Sequence, residues 1–378
     1  MTSNERHEAR YRRRKAKREK IKAQRNQGHG FEEVTDFNNL RKAFYSARKG
    51  VNWKASVQRY GSNVLVNSIK ASETLRAGKP VTRGFIEFDI TERGKKRHIS
   101  SVHITERVVQ KSICDFGIVP VIEKSLIYDN AASQKGKGTD FARERLKKHL
   151  RHYYRKNGAD GYILLCDCHN YFPSLNHDVI RANLKKTLTD ERLIELTMEY
   201  VNPFKEGLGL GSQVCQILAV AYLNDMDHAI KEIKRIKYYG RYMDDMYVIC
   251  KSKEEAKKIL EFMKGELHDH GIELNYRKTQ IVKLGKEFVW LQDRVTLTKS
   301  GKVIVKPGRT AITRNRRRLK RMSRLLADGR ISYKEVRTFH ASHVGYLKNK
   351  NAYFTVRNFN ELHNKLYIRR WQHEVCNA

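Results

Sequence analysis

Acidic residues at the ends of apolar strands restrict the fold of this chain more than any other feature. Residues 161–167 (GYILLCD) read as an apolar strand that ends in Asp167, and the tight turn Met243-Asp244-Asp245 joins two apolar segments later in the chain. In a ferredoxin-like sheet the first strand is central and can lie beside such a hairpin. The pattern therefore predicts that three carboxylates converge at one place.

The segments between and after these acids have a definite order. Periodicity of apolar residues predicts the following helices and strands: a helix capped by Asn176, a longer helix over 212–234, strands at 236–242 and 246–250, a helix from Ser252 to Gly271, and a strand pair near 287–297 and 302–306. The order strand–helix–helix–strand–strand–helix–strand is typical of a split βαβ, ferredoxin-like arrangement.

Three anions that meet in one place repel one another unless cations occupy the site. Carboxylate oxygens are the ligands that hard divalent cations prefer. Nucleotidyl transfer needs two such cations, one to activate the attacking 3′-hydroxyl and one to neutralise the leaving pyrophosphate. The alternative is that Asp244 and Asp245 are ordinary turn residues, which is the commoner case for an Asp-Asp pair on its own.

The chain also carries a large excess of positive charge. Lys and Arg number 77 against 41 Asp and Glu, which gives a formal charge of +36 and predicts a polyanionic partner. A hydrophobic content of 40% excludes a disordered protein. No apolar run reaches the length of about 18 residues that a membrane span needs, and the basic N-terminus has no apolar core behind it, as a signal peptide would.

The six cysteines lack the paired spacing of metal sites and mostly sit in apolar stretches. We therefore interpret them as reduced core residues and expect no disulfide framework. The set comprises Cys114, Cys166, Cys168, Cys215, Cys250 and Cys376.

Outside the acidic centre, five regions stand out. Residues 1–28 hold eleven Lys and Arg against three Glu, which predicts a basic helical arm that contacts nucleic acid or is simply a solvated terminus. Residues 31–80 have helical spacing, and 83–101 alternate as a β-hairpin does around Glu92-Arg93-Gly94. Residues 133–139 (SQKGKGT) form a basic glycine-punctuated loop, and the chain from Pro307 onward is helical and strongly basic.

Six patterns in this order resemble motifs of the prokaryotic reverse transcriptases, the group of intron, retron, diversity-generating and defence-associated enzymes. The resemblance covers about residues 35–355. The matching segments are Lys96-Arg97 with Glu106-Arg107-Val108-Val109-Gln110, then 135–139, 166–174 with His177, 210–216, Tyr242–Asp245, and Leu274-Asn275 with Lys278-Thr279.

The resemblance implies an α+β right-hand polymerase with fingers, a ferredoxin-like palm and a helical thumb. The implied divisions are a basic extension at 1–30, fingers at 31–160 with part of 175–235 shared between fingers and palm, a palm at 161–306, and a basic helical thumb and C-terminal region at 307–378. The implied activity is RNA-directed DNA polymerisation, in which dNTPs are added to a primer 3′-hydroxyl. The implied cofactors are two Mg²⁺ ions per active site, with Mn²⁺ as a substitute.

The resemblance assigns the catalytic roles residue by residue. Asp167 and Asp244 would bind both metals, and Asp245 would support the site. The backbone carbonyl of Cys168 would complete one metal shell. Lys278 would protonate the pyrophosphate leaving group, with a plain surface lysine as the alternative reading.

Nucleotide binding is implied for a second group of residues. Phe172 falls at the family's steric-gate position, where a ring clashes with a ribose 2′-hydroxyl; its alternative is core packing. Arg97 would contact the triphosphate with Lys96 assisting, and Arg107 would do the same or pair locally; the alternative for all three is a solvated basic face. Gly211 and Gln216 would line the nucleotide or template pocket. The resemblance places Tyr242 near the primer end and Lys135 and Lys137 in the basic finger loop. The charge of the thumb candidate predicts backbone contacts to nucleic acid by Arg314, Arg317, Arg318 and Arg321.

Three departures from the family pattern bear on the subgroup. Cys215 stands where Ser is usual, Gly209 replaces a Pro, and Phe288-Val289-Trp290 replaces the Phe-Leu-Gly of the segment that grips the primer. Retron and maturase signatures are also missing from the sequence. The missing signatures argue against retron and mobile-intron enzymes and leave an enzyme of antiphage defence, with a diversity-generating enzyme as the alternative.

Two further hypotheses come from other classes. One is a nucleic-acid-binding scaffold with a vestigial polymerase site, and the other is a palm enzyme that makes RNA, against which Phe172 and Met243 argue. The expected partners are an RNA template in the form of a structured non-coding RNA, a DNA product or primer, and dNTPs. Homo- and hetero-oligomers both stay open, no membrane contact is expected, and the bacterial cytoplasm is the expected location.

Overall fold

The computed structural model describes residues 3–81, 84–92 and 94–368, without the side chains of residues 3–5, 11 and 368. The C-terminal residues 369–378, with Cys376, and Arg93 of the predicted hairpin turn lie outside the described residues. The other five cysteines are buried, as expected of core residues.

Helices make up most of the described chain. Their bounds are α1 Ser3–Asn26, α2 Phe31–Thr35, α3 Phe37–Ala47, α4 Ala55–Ser62, α5 Val64–Arg76, α6 Ile104–Ser112, α7 Val119–Ile122, α8 Thr139–Asn157, α9 His177–Thr187, α10 Glu191–Met198, α11 Gln213–Tyr222, α12 Asn224–His228, α13 Lys253–Asp269, α14 Arg309–Ala327, α15 Tyr333–Lys348 and α16 Tyr353–His363. None of them combines the length and apolar character that a bilayer crossing requires.

The strands form three antiparallel or mixed sheets. Their bounds are β1 Ile86–Glu92, β2 Lys95–Ser101, β3 Tyr162–Cys166, β4 Tyr239–Tyr242, β5 Asp245–Cys250, β6 Gln280–Lys283, β7 Phe288–Trp290, β8 Asp293–Leu297 and β9 Val303–Pro307. Strands β1 and β2 form the predicted hairpin, whose first strand is exposed along its whole length.

The central sheet has four strands in the order β4-β5-β3-β6. Numbered along the chain, this order is second, third, first and fourth, so the first strand lies inside the sheet as a ferredoxin-like arrangement requires. Strand β6 pairs antiparallel with β3, with Leu164 opposite Ile281. The predicted interior position of the first strand, beside the β4-β5 hairpin, is therefore present, whereas the fourth strand is not the predicted one.

Two predicted elements are wrong in detail. The strand expected near 287–297 is two strands, β7 and β8, because Leu291 and Gln292 turn the chain with φ of 45° and 67°. The edge strand of the central sheet is instead β6, whose apolar pair Ile281-Val282 is too short to give a periodic signal.

The helix predicted over 212–234 is also interrupted. It begins as expected, with Ser212 accepting a hydrogen bond from the Cys215 N–H, but α11 ends at Tyr222. Helix α12 and a π-helical turn at Ala229–Ile233 follow it. Residues 214–220 are apolar at nearly every position, so the spacing of apolar residues gave no signal from which the end of the helix could be predicted.

The chain forms two compact units. The first consists of the described residues of 1–142 together with 166–246 and 259–276, and the second consists of 143–165, 247–258 and the described residues from 277 onward. In the first unit, Leu40 and Phe44 of α3 and Val108 and Val109 of α6 are buried. In the second, helices α14–α16 enclose a core of Leu319, Met322, Val336, Phe359 and Tyr367.

Candidate active site

Asp167 directly follows β3 and is held by the segment that comes after α13. The side chain of Asp167 is 7% exposed. The Asn275 backbone N–H donates to the Asp167 carbonyl at 2.7 Å, and the Asn275 side-chain amide donates to Oδ2 at 3.2 Å. Cys168 forms an isolated antiparallel bridge with Leu274. These contacts fix both the backbone and the carboxylate of Asp167.

The second acidic position is the turn between β4 and β5. Met243 has φ of 58°, a left-handed conformation that is unusual for a residue with a side chain. Asp244 follows it and Asp245 opens β5; both side chains are half-buried. The Tyr242 side chain, at the end of β4, is also half-buried.

The acids from the two positions act on a common neighbour. Burial raises the pKa of the Cys168 thiol, the charge of Asp244 raises it further, and so does that of Asp167, while Arg241 acts in the opposite direction. Asp167 and Asp244 are therefore within electrostatic reach of one thiol. Among the described residues, no three His, Cys, Asp or Glu side chains form a group that could already hold a metal ion.

The donor chemistry of this region suits a hard divalent cation. Burial raises the pKa of the Cys168 thiol, which favours the protonated form over the thiolate that metal sites use. Carboxylate and backbone carbonyl oxygens remain, and these are the ligands that Mg²⁺ prefers. Asp167, Asp244, Asp245 and the Cys168 carbonyl offer oxygen ligands of this kind, and their joint binding of a metal ion stays a prediction.

A cleft of about 560 Å³ lies in the same unit as these acids. Four residues of the predicted nucleotide site line it, together with Met243 of the acidic turn. The lining consists of Ser46, Ala47, Arg107, Gln110, Lys111, Phe172, Gly209, Leu210, Gly211, Ser212, Gln213, Gln216 and Met243. The structure thus brings Arg107, Phe172, Gly211 and Gln216 together beside the residue that precedes Asp244.

The backbone around Phe172 is tightly fixed. Its carbonyl accepts a hydrogen bond from the Leu208 N–H at 2.8 Å. Gly207 has φ of 65°, and a Cβ there would lie 2.5 Å from the Phe172 carbonyl oxygen. His177 Nε2 contacts the Gly207 carbonyl at 2.7 Å. The ring of Phe172 is half-buried and lines the cleft.

The other cleft residues also have defined partners. Arg107 donates to the Ser101 hydroxyl at 3.1 Å, and Gln216 Nε2 donates to the Ser133 hydroxyl at 2.9 Å. Gly211 has φ of 115°, and a Cβ there would lie 2.8 Å from the Ser100 carbonyl oxygen. Gly211 therefore allows the chain to pass close to the end of β2.

Several predicted residues lie elsewhere. Lys96 and Arg97 are exposed on β2 and are not among the described residues that line the cleft; Arg97 pairs with Glu92 at 3.0 Å. Lys278 is exposed and belongs to the second unit.

The two lysines of the basic loop differ in their surroundings. Lys135 is exposed, whereas Lys137 is half-buried. The Lys137 ammonium group donates to the carbonyls of Tyr128 and Asn130 at 3.0 and 3.1 Å. This lysine therefore has a structural role in the loop, and nucleic-acid contact by either lysine stays a prediction.

The four predicted arginines of α14 share one helix face. Arg314, Arg317, Arg318 and Arg321 are exposed and follow the i, i+3, i+4, i+7 spacing. The guanidinium of Arg318 lies over the Phe339 ring at 4.5 Å. The opposite face of α14 is anchored in the core through Leu319 and Met322.

Sequence reasoning missed two residues that hold the acids in place. Asn275 lies inside a pattern that was recognised, but nothing in the pattern gives it a role toward Asp167. Arg241 directly precedes Tyr242 and is 1% exposed. In a chain with 77 Lys and Arg residues, a buried arginine has no local signature that separates it from the exposed ones.

Comparison with solved structures finds telomerases. Apo telomerase from Candida tropicalis is 15% identical with a TM-score of 0.48, and the match covers 79% of this chain and 59% of that one. Telomerase from Candida albicans in complex with a TWJ fragment of telomeric RNA is 10% identical with a TM-score of 0.47, covering 81% and 65%. The truncated Candida tropicalis enzyme is 14% identical, also with a TM-score of 0.47, covering 60% and 55%.

The matches thus span between 55% and 65% of the length of these telomerase chains. No curated protein sequence matches the chain. A family model described as reverse transcriptase (RNA-dependent DNA polymerase) matches residues 86–312, a stretch that includes the cleft residues from Arg107 to Met243 and all three acids. The chain belongs to the reverse transcriptase family.

Proposed function

We propose that this chain is an RNA-directed DNA polymerase whose catalytic acids are Asp167, Asp244 and Asp245. The observation that carries the proposal is the cleft in which Arg107, Phe172 and Gln216 lie beside the acidic turn. A triphosphate carries several negative charges, and Arg107 offers it a forked cationic donor. Membership of the reverse transcriptase family supports the same reaction.

Each cleft residue has a defined task in this proposal. Arg107 binds the triphosphate, and the Phe172 ring excludes a ribose 2′-hydroxyl. Gln216, held by Ser133, lines the base or template side. Asn275 keeps the Asp167 carboxylate in one orientation. Two Mg²⁺ ions bound by the acids would supply the activation of the 3′-hydroxyl and the neutralisation of pyrophosphate.

The parts of a right-hand polymerase map onto the chain as follows in this proposal. The four-stranded sheet with α9, α11 and α13 is the core of the palm at 161–306. The hairpin and the helices around α3 and α6 belong to the fingers at 31–160, to which part of 175–235 contributes. The basic helices α14–α16 form the thumb.

Basic helices are the proposed contacts to RNA. Helix α1 is strongly basic, and its C-terminal end is attached to the first unit: Lys22 donates to the Lys185 carbonyl at 2.6 Å and Asn26 to the Thr187 carbonyl at 3.0 Å. We propose that the rest of this helix binds a structured non-coding RNA that supplies the template. The described side chains of α1 before Lys22 are almost all exposed, which leaves them available to phosphates.

The contribution of α1 is tested by truncation. A variant that lacks residues 1–20 keeps Lys22 and Asn26 and so keeps the attachment. Its affinity for the RNA that co-purifies with the full chain is expected to fall at least about tenfold, as loss of several phosphate contacts does. Unchanged affinity in a filter-binding titration would remove α1 from the RNA-binding surface.

The most detailed part of the proposal concerns the biological role of the enzyme. The candidate is a bacterial cytoplasmic enzyme of antiphage defence, because the sequence lacks retron signatures, and a diversity-generating enzyme is the second candidate. Sequencing the RNA that co-purifies with the chain separates the two. A template repeat that matches a variable gene nearby would favour diversification, whereas an RNA without such a repeat would favour defence.

The polymerase activity itself is tested with the purified full chain. The assay contains a primed RNA template, labelled dNTPs and Mg²⁺. We expect a product that survives ribonuclease in the wild type and is lost in Asp244→Ala, whereas Asp269→Asn, an exposed acid at the end of α13, is expected to be active. Equal activity of wild type and Asp244→Ala would overturn the assignment. Inactivity of the wild type with the co-purified RNA as well would favour a vestigial site.

A further inference from the structure

A fully buried ion pair lies beside the acidic turn. The side chains of Arg241, on β4, and Asp227, on α12, are both 0% exposed. The guanidinium engages both carboxylate oxygens: Nη2 donates to Oδ2 at 2.6 Å and Nε donates to Oδ1 at 2.9 Å. The hydroxyl of Tyr239 donates to Oδ1 as well, at 2.6 Å. The carboxylate of Asp227 is thus the anchor of the guanidinium.

The same guanidinium reaches two backbone carbonyls. Its Nη1 donates to the carbonyl of Met243 at 3.1 Å, and its Nη2 donates to the carbonyl of Val220 at 2.9 Å. The backbone of Arg241 is held too, because its N–H donates to the Asp129 carbonyl and its carbonyl accepts from Ala131. One side chain therefore connects the end of α11, helix α12 and the turn.

The hydrogen bond from Arg241 to the Met243 carbonyl is made at a residue with an unfavourable backbone conformation. Met243 has φ of 58°, which costs free energy for any residue other than glycine. Its carbonyl belongs to the peptide that links it to Asp244, so a donor fixed at that oxygen also fixes the direction in which Asp244 leaves the turn. Such a conformation persists where its surroundings enforce it.

A gain in folding stability alone does not explain the buried ion pair of Arg241 and Asp227. Burial works against the charge of Arg241, and the Asp227 carboxylate outweighs this effect, so the pKa of the guanidinium is raised. A buried pair of this kind commonly contributes no more stability than well-packed apolar residues of the same volume. What apolar residues cannot supply is the directed donor to the Met243 carbonyl.

We propose that Arg241, oriented by Asp227, is a positioning residue that fixes the Met243–Asp245 turn in the geometry needed for catalysis. This inference rests on the proposed polymerase function. In this role Arg241 does not contact substrate. Arg241 acts through the backbone of the turn, so it affects the catalytic step and the binding of divalent cations. The affinity for dNTP is unchanged.

The test compares Arg241→Lys with the wild-type chain. Lysine keeps the positive charge but has a single ammonium group in place of the forked guanidinium. It therefore cannot donate hydrogen bonds to Asp227 and to the Met243 carbonyl at the same time. We expect kcat to fall about 10²-fold, as displacements near 1 Å do, with KM for dNTP within about twofold. Mn²⁺ binding to the protein without substrates, measured by electron paramagnetic resonance, is expected to weaken at least about tenfold.

A matched control comes from the second unit. Lys350 forms another fully buried ion pair, with Asp293. Lys350→Arg is expected to lower the unfolding temperature without changing kcat or Mn²⁺ binding. If Arg241→Lys is folded by circular dichroism and shows wild-type kcat and Mn²⁺ affinity, the inference is wrong.

A milder variant covers the case in which Arg241→Lys does not fold. Asp227→Asn keeps an acceptor oxygen for the guanidinium and removes one charge, which weakens the anchor but leaves Arg241 in place. A lower kcat with unchanged KM for dNTP supports the inference, and wild-type kcat together with wild-type Mn²⁺ binding contradicts it. Asp244→Ala separates the two levels: if it is fully active, the proposed function fails, and if it is inactive while both network variants are fully active, only the role of Arg241 fails.

Discussion

Asn275 is bonded to Asp167 twice, by its backbone N–H to the carbonyl at 2.7 Å and by its side-chain amide to Oδ2 at 3.2 Å. The residues are far apart in sequence, and the segment around Asn275 also pairs with Cys168. The carboxylate is therefore oriented by a neighbour that has no charge and does not compete with it for a cation.

Replacing that amide should reduce catalysis without affecting binding. In Asn275→Ala the backbone bond persists, but the carboxylate of Asp167 can rotate. A hydrogen bond to a charged group is worth about 1.5–3 kcal/mol, so we expect kcat to fall about tenfold or more. Steady-state kinetics and primer–template titration check this. Asn202→Ala, at an exposed position, is the control, and an unchanged kcat in Asn275→Ala would exclude a role for the amide.

Sugar selection should depend on Phe172. Its half-buried ring lines the cleft, and its backbone is held by Leu208 and Gly207. In Phe172→Val the ring is lost, so a 2′-hydroxyl no longer clashes. We expect the ratio of kcat/KM for dGTP over rGTP to fall about 10- to 100-fold, the scale on which packed pockets discriminate. The dNTP rate serves as the internal control, and an unchanged ratio would show that Phe172 packs without contacting the sugar.

The arginine face of α14 should determine the salt dependence of hybrid binding. Each phosphate contact adds about 0.9 to the slope of log K against log salt for duplex DNA. The triple change Arg314→Gln, Arg317→Gln and Arg321→Gln is expected to lower the slope for an RNA–DNA hybrid by about two to three, measured by fluorescence anisotropy.

The same helix offers the control for that prediction. Arg316, Lys320 and Arg324 are also exposed but follow a second stripe at i, i+4, i+8. If neutralising this second stripe lowers the slope as much as the first, the hybrid does not select one face, and the assignment of the first four arginines loses its basis.

Acid should destabilise the helical C-terminal part of the second unit. Burial lowers the pKa of both His340 and His343. The charge of His363 also lowers the pKa of His340, and the charge of Lys350 also lowers the pKa of His343. The unfolded chain then takes up protons on these rings below the ordinary pKa of about 6.5 while the folded chain does not, so stability is complete above that pH and falls as the pH decreases below it.

Thermal unfolding from pH 7.5 to 5 checks this expectation. The decrease in unfolding temperature on acidification should be smaller in His343→Gln than in the wild type, whatever the starting stability of the variant. His268→Gln, an exposed histidine on α13, should retain the wild-type pH dependence. An identical pH dependence in His343→Gln would mean that this ring titrates alike in both states.

The interior strand β3 and the hairpin beside it were predictable because their signals are local. Residues 161–167 contain one unbroken apolar run, and Met243-Asp244-Asp245 lies between two other apolar runs. The apolar pattern and the turn-forming residues were therefore enough to predict these strands and the turn. Asn176 was predicted as a helix cap, and its side chain does accept hydrogen bonds from the N–H groups of Asp178 and Val179.

What could not be predicted depends on contacts between distant residues. The break between β7 and β8 depends on positive φ at Leu291 and Gln292, which no propensity favours for these residues. The partners of Arg241 and Asn275 lie on other elements, so neither residue differs locally from its exposed counterparts. Lys96 and Arg97 were grouped with Arg107 by motif order, and only the fold shows that Arg107 alone of the three lines the cleft.

The interior position of β3 affects how the protein is made. Its pairing with β6 joins Tyr162 to Lys283, so the strand that presents Asp167 cannot complete its ladder until Lys283 has left the ribosome. Such long-range pairing is slow because a large loop must close first. During synthesis, the N-terminal helices can fold early, whereas the centre of the enzyme must wait and stays exposed to aggregation or chaperones in the meantime.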